Sequence, residues 1–263
     1  MSNVLVLGHN GMLGRAVVKY LKEKTKHKVE TTQARWGQVD FVEAIKKSDV
    51  DFIVNCIGKI PQKNPSENEY ESLNVDLPCF LEATGKLIIH PSTDCEFNGD
   101  LPPGKSYTKE SIRDAKDAYG QSKAKISKMI EDDFTHTKII RTSIIGHENG
   151  TQFSLLDWFL SQTDEVNGFT NHYWNGITTV QWAEICEKLI EDWSNFPTLN
   201  QFGTNTQYSK FEVLTCIKKV YEKDTSIRPF ATEYTINKCL KSDVLIPELE
   251  DQLMVLKKFF ADN

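Results

Sequence analysis

No stretch of this 263-residue chain is apolar for long enough to cross a membrane, and the N-terminus enters an apolar strand directly, without the regions of a signal peptide. A cytoplasmic protein with no membrane contact is expected. Basic residues are not in excess: 31 Lys and Arg against 37 Asp and Glu leave a net charge of −6. The two signs are interspersed, so no basic stripe offers itself to nucleic acid. Cysteines 56, 79, 95, 186, 216 and 239 form no C-x-x-C pair. Most sit in apolar runs, which points to buried free thiols and away from zinc or a disulfide framework. His9, His90 and His172 show no ligand spacing; they read as scattered surface or core histidines, and no metal site is expected. Internal repeats and low-complexity segments are absent. The length suits one α/β domain with a small appended lobe.

What is present begins at the first strand. Val4-Leu5-Val6-Leu7 reads as a buried parallel strand, and Met12 to Lys24 as an amphipathic helix with Leu13, Val17 and Leu21 inward. Between them lies Gly8-His9-Asn10-Gly11-Met12-Leu13-Gly14. Strand, glycine turn, helix is the context of a dinucleotide site: the glycines allow a tight turn and close approach of the backbone to a pyrophosphate, and the helix N-terminus offers unpaired N–H groups to it. An ordinary strand-to-helix turn is the alternative.

Tyr119 and Lys123 stand four residues apart in Tyr119-Gly120-Gln121-Ser122-Lys123, on one face of an expected helix. A tyrosine titrates near 10 and exchanges its proton too reluctantly for efficient catalysis at neutral pH. An adjacent ammonium would lower that value.

Strands are expected at Lys28–Thr31, Asp51–Asn55, Leu87–His90 and Lys138–Arg141. They alternate with helices at Phe41–Lys47, at Asn68–Thr84 with a kink at Pro78, and at Asp114–Asp132. This βαβα order implies a Rossmann-type doubly wound parallel sheet with helices on both faces. Ligands of such sheets collect beyond the carboxyl ends of the strands, where Gly8, Gly58, Thr93 and Thr142 all fall. After Gly146 the alternation breaks. Gln152–Ser161, Thr179–Trp193, Ser209–Tyr221 and Glu248–Phe260 read as helices, with Thr178 or Thr179 capping the second and Ser209 with Glu212 forming a capping box on the third. The expected division is a dinucleotide-binding domain over 1–146 and, over 147–263, mainly a small α/β substrate lobe with some segments returning to the first domain.

The G-x-x-G-x-x-G spacing resembles the extended short-chain dehydrogenase/reductase superfamily, and within it the dTDP-4-dehydrorhamnose reductase-like sugar-nucleotide reductases. The likeness also rests on His90-Pro-Ser-Thr-Asp-Cys-Glu-Phe-Asn-Gly99, Ala118-Tyr-Gly-Gln-Ser-Lys123, Ile140-Arg-Thr-Ser143 and Asn175-Gly-Ile-Thr-Thr179. It spans residues 1 to about 190 in consistent order. Cys95 departs from the tyrosine expected in the reductases proper.

The resemblance implies a catalytic set of Thr93, Tyr119 and Lys123. Tyr119 would protonate the carbonyl oxygen as it receives hydride, Thr93 would hold that oxygen, and Lys123 would lower the tyrosine and bind the nicotinamide ribose. Thr93 satisfying only local backbone is the competing reading. The cofactor would contact Gly8, Asn10, Gly11, Met12, Leu13, Gly14, Arg35, Asp40, Cys56, Ile57, Gly58, Asn74 and Thr142, besides Tyr119 and Lys123. Asn74 would order the backbone on the cofactor side, or be a helix-surface amide. Asp40 would lie near the adenine and also serve as N-cap of Phe41–Lys47. Asp94, Glu96, Trp174 and Asn175 would meet the sugar nucleotide; for Asp94 and Glu96 a simply solvated carboxylate is the alternative. Thr32 stands where NAD sites usually place an acid, and Arg35 could take a 2′-phosphate, so NADPH is favoured over NADH. The expected activity is reduction of a nucleotide-activated 4-keto-6-deoxy-hexose; an NAD-dependent epimerase and a catalytically silent regulatory subunit on the same fold are the alternatives. A homodimer is compatible with the sequence but not legible in it.

Overall fold

The computed structural model describes residues 1–261. Apolar alternation along the first strand decides the layering. In β1 (Asn3–Leu7), Val4 and Val6 face one side while Leu5 and Leu7 face the other, and all four are buried. A strand buried on both faces needs helices on both. On the first face lie α1 (Met12–Lys24) and α7 (Thr179–Glu191), packed around Val17, Leu21, Trp182 and Leu189. On the second lie α2 (Val39–Lys47) and α4 (Leu77–Glu82), through Phe41, Ile45, Leu77 and Leu81. Beside these, α5 (Ala118–Asp133) packs Ile126 and Ile130 against Ile139.

The sheet is six-stranded and parallel, in the order β10-β5-β4-β3-β1-β2. Its further members are β2 (Lys28–Thr31), β3 (Phe52–Asn55), β4 (Leu87–Ser92), β5 (Thr137–Arg141) and β10 (Leu199–Gln201). The chain leaves β1 for β2 on one side and returns through α2 to β3 on the other. That reversal puts the topological switch point between β1 and β3, with Gly8 and Cys56–Gly58 beyond their carboxyl ends.

The segment before α4 and the start of α5 differ from expectation, each for a local reason. The segment read as one helix to Thr84 is α3 (Glu67–Tyr70), then a π turn over Glu71–Asp76, then α4. Pro78 has no N–H to donate to Asn74, and the hydrogen-bond ladder slips there instead of bending sharply. The Tyr/Lys helix starts at Ala118, not Asp114, because Asp117 caps it by accepting the Gly120 N–H at 2.8 Å.

Past β5 the chain builds a second core around Leu156, Phe159, Val213, Leu214, Ile217, Leu249, Leu253 and Leu256. It is assembled from α6 (Leu155–Ser161), α8 (Lys210–Tyr221) and α9 (Leu249–Ala261) with short strands. Of these, β7 (Val166–Phe169) pairs β12 (Ile227–Phe230), and β8 (His172–Trp174) lies between β11 (Tyr208–Ser209) and β13 (Ile236–Asn237). The remaining pair, β6 (Ile144–Ile145) and β9 (Ile177–Thr178), links this part to the sheet side. Thr178, not Thr179, caps α7, and the Ser209–Glu212 capping box is formed. No helix among the described residues is long and apolar enough to cross a membrane.

Candidate active site

The glycine turn is shaped by backbone approach. Gly8 has φ +73°, and a Cβ there would lie 2.8 Å from the Cys56 carbonyl oxygen; a Cβ on Gly14 would overlap the Gly8 carbonyl. Only glycine satisfies both contacts. Gly11 is the N-cap of α1, no side chain caps the first turn, and no acidic residue stands in it. The turn therefore presents free N–H groups and the positive end of the helix dipole, an arrangement that fits a dinucleotide pyrophosphate. Leu13 and Cys56 send their side chains into the core and leave only backbone for a ligand. Asn10 and Gly11 are exposed, and Met12 is half-buried. Across the rim, the Gln33 amide meets His9 Nε2 at 3.0 Å, and Arg35 is exposed beyond β2. Asp40 is not the N-cap of α2: the helix begins two residues earlier than expected, at Val39 after Gln38, which leaves Asp40 exposed in the first turn.

The π turn aims Asn74 inward. This buried amide accepts the Lys59 N–H at 2.9 Å and donates to the Lys59 carbonyl at 3.3 Å and Ser122 Oγ at 3.0 Å. It joins the loop after β3, with Ile57 and Gly58, to α5; it is not a helix-surface group.

Where α5 meets the end of β4, glycine again decides. A Cβ on Gly120 would overlap the Cys95 carbonyl. This contact seats the start of α5 against the segment after β4, and the Thr93 hydroxyl is among the groups that act on the Tyr119 phenol. Strand alternation sends Ser92 the other way, onto Glu96 and Ser127. Thr93 also serves its own backbone, accepting the Cys95 N–H at 3.1 Å, and donates to Asp94 Oδ1 at 3.0 Å. Tyr70 closes the other side of Tyr119, with ring centroids 6.0 Å apart.

Lys123 is 7 % exposed, and its Nζ lies 2.7 Å from the Pro91 carbonyl and 3.0 Å from His90 Nε2. It is thus turned onto β4. Burial, with Cys95, Asp94 and Glu96 nearby, holds the Tyr119 phenol well above the ordinary tyrosine range, and the Thr93 hydroxyl opposes this. Burial likewise brings Lys123 down to about 8. His90, expected as a surface or core histidine, is a core one, and it touches Lys123. Its signal was a polar residue near the carboxyl end of an otherwise apolar strand.

Several residues expected to meet the ligands are engaged with groups of the protein itself. Glu96 is fully buried, 2.6 Å from Arg113 Nε and 2.8 Å from Arg141 Nη2, and accepts from Ser92 and Ser127. A carboxylate so engaged has no free oxygen for hexose hydroxyls. Asn175 donates to the Thr204 and Leu240 carbonyls at 2.9 and 2.8 Å and accepts the Leu240 N–H at 2.8 Å. Its amide is used up in bracing the chain. Trp174 is 4 % exposed and gives its indole N–H to Ser143 Oγ at 2.8 Å. Thr142 is buried, with its hydroxyl on the Ser143 carbonyl at 3.2 Å. Asp94 is largely buried and takes the Thr93 hydroxyl. Lys210, which the sequence did not single out, begins α8 with its ammonium 5.5 Å from the centre of the Trp174 ring. Among the described residues no cluster of His, Cys, Asp or Glu could hold a metal ion.

The profile of the RmlD substrate binding domain family matches residues 1–242. The chain belongs to that family. Methionine adenosyltransferase 2 subunit beta of Rattus norvegicus is 26 % identical over 251 residues, covering 86 % of this chain and 74 % of that protein. The spore coat polysaccharide biosynthesis protein SpsK of Bacillus subtilis is 25 % identical over 248 residues, covering 90 % of this chain and 86 % of that protein. Among solved structures, a dTDP-4-dehydrorhamnose reductase of Clostridium acetobutylicum superposes with a TM-score of 0.82 at 20 % identity, over 97 % of this chain and 98 % of that one. A second such reductase, from Bacillus anthracis in complex with NADP, gives 0.82 at 16 % identity over 100 % and 99 %. These superpositions establish the Rossmann-type reductase fold for the RmlD-family chain.

Proposed function

We propose that this chain is an NAD(P)H-dependent oxidoreductase that reduces a nucleotide-activated 4-keto-6-deoxy-hexose, in deoxysugar or polysaccharide biosynthesis. The observation that carries the reading is the contact at Gly120, which seats the Tyr119 end of α5 against the Thr93–Cys95 segment at the carboxyl end of β4. When bound, the nicotinamide supplies a hydride to the carbonyl carbon. Tyr119 then donates its proton to the carbonyl oxygen, and Thr93 donates a hydrogen bond to the same oxygen as charge develops on it. Asn74 holds the loop after β3 in place for the cofactor, and the N–H groups of the α1 N-terminus hold the pyrophosphate. Exposed Arg35, with threonine in place of an acid at position 32, supports NADPH. The names of the Bacillus subtilis relative and of the two reductase structures agree with this chemistry. Six free thiols suit a cytoplasmic location.

A non-catalytic subunit is the second reading, favoured by the subunit name of the rat relative. The juxtaposed Thr93, Tyr119 and Lys123 weigh against it. NADPH absorbance decay with UDP- and dTDP-4-keto-6-deoxyglucose decides between them. Sugar-dependent decay is expected, with Tyr119→Phe slower by about a hundredfold or more. NADPH binding without turnover of either sugar would favour the subunit.

A further inference from the structure

The hydrogen bonds that reach Lys123 form a chain whose polarity is set at its far end. The backbone N–H of Ile57 can only donate, and it donates to Asn55 Oδ1 at 3.2 Å. That orients the amide, so Asn55 Nδ2 is the group facing His90 Nδ1 at 3.3 Å, and it too can only donate. Nδ1 must then accept, which puts the proton of the neutral imidazole on Nε2. Nε2–H points at Lys123 Nζ, 3.0 Å away. An ammonium has no lone pair to receive it; an amine has one, and still donates to the Pro91 carbonyl at 2.7 Å. With a charged lysine, the imidazole proton would have to move to Nδ1 and face the Asn55 NH2. Flipping Asn55 would only pass the clash on to Ile57 N–H. Asn55, His90 and Lys123 are all buried, so water cannot relieve it.

We infer that the Ile57–Asn55–His90 chain favours Lys123 as a neutral amine before the dinucleotide arrives, and that dinucleotide binding in mildly alkaline solution is coupled to uptake of a proton by Lys123. Ribose hydroxyls are better served by an ammonium with three donors than by an amine with two, so the bound state favours the charged form. Burial of Lys123 acts in the same direction as the chain. Glu96, in the segment after β4, is the charged group opposing it, but its carboxylate is engaged by Arg113 and by Arg141 on β5. On the π turn, Glu71 is paired with Lys125. Tyr119, on the same helix as Lys123, stays protonated through the range concerned. His90 and Asn55 are in this sense positioning residues that act through Lys123. The second half of the inference rests on the cofactor reading above; the first does not.

Two measurements test it. Long-range ¹H–¹⁵N spectra of the cofactor-free protein report the His90 tautomer, expected to be Nε2–H. Asn55→Asp reverses the chain, since one carboxylate oxygen accepts from Ile57 and the other from Nδ1–H, so His90 should switch to Nδ1–H. Calorimetric NADPH titrations at about pH 9, in two buffers of different ionisation heat, should show about one proton taken up per chain, and close to none in Asn55→Asp. An Nδ1–H tautomer in the wild type overturns the polarity, and so does an unchanged tautomer in Asn55→Asp. Heats that do not depend on buffer overturn the coupling. If the variant does not fold, the wild-type tautomer and heats decide alone. Failure to bind NADPH overturns the cofactor reading and the coupling with it, while the tautomer still decides the polarity of the chain.

Discussion

The glycine turn and the Asn175 bracket both hold chain segments close together, by opposite means. At Gly8 and Gly14 the backbone closes because side chains are missing. At Asn175 a buried amide ties segments 29 and 65 residues away, through Thr204 and Leu240. Buried polar groups divide in a similar way. Lys123 is kept buried against its preference as a charge, whereas Asn175 is fully satisfied and Glu96 is paired on both sides. A polar group held for chemistry subtracts from stability, and one held for architecture adds to it.

Four substitutions test that contrast. Glu96→Gln keeps the shape but removes the charge between Arg113 and the fully buried Arg141. A loss of about 3–5 kcal/mol is expected in urea unfolding, because a buried guanidinium is left uncompensated. A loss below about 1 kcal/mol would mean that the network does not carry the fold. Asn175→Ala strips the partners from two carbonyls and one N–H. About 2–4 kcal/mol should be lost, with KM of the folded fraction unchanged. A raised KM at intact stability would return Asn175 to the substrate site.

Lys123→Met has the opposite sign. Lys123 in the folded chain is brought from 10.5 to about 8, so its charged form is penalised only there. The penalty is fully present below about pH 8 and fades as pH rises toward 10.5. The variant should therefore be more stable than wild type by on the order of 2–3 kcal/mol at neutral pH, converge with it in alkali, and lose activity. Equal stability across that window would remove the contrast. Arg35→Ala touches neither core, since Arg35 is exposed. It should weaken NADPH binding about tenfold, the loss of one charge-assisted contact, and leave NADH binding and the melting temperature unchanged. An equal loss for both cofactors would place Arg35 away from the 2′-phosphate.

Legibility follows the same divide. Pro78 announced a fault in its helix, but whether the ladder would bend or widen into a π turn depended on what Asn74 could reach, and Lys59 and Ser122 are supplied by other elements. Gly120 stood in plain view between Tyr119 and Lys123, yet its role needed the Cys95 carbonyl beside it. Glu96 and Asn175 were assigned to the cleft because a motif ties them to it along the chain. Burial sends both side chains elsewhere.

The sequence alone determined whatever depends on neighbours along the chain. The glycine turn between β1 and α1 follows from backbone sterics, the shared face of Tyr119 and Lys123 from helix period, and the doubly wound sheet from apolar runs alternating with amphipathic ones. Only the tertiary structure decided which way each polar side chain points once buried. His90 meets Lys123 across 33 residues, Asn55 meets His90 across 35, and Ser127 meets Glu96 across 31. A buried polar group is placed by the partner that satisfies it, and that partner comes from wherever packing brings a donor or acceptor within reach.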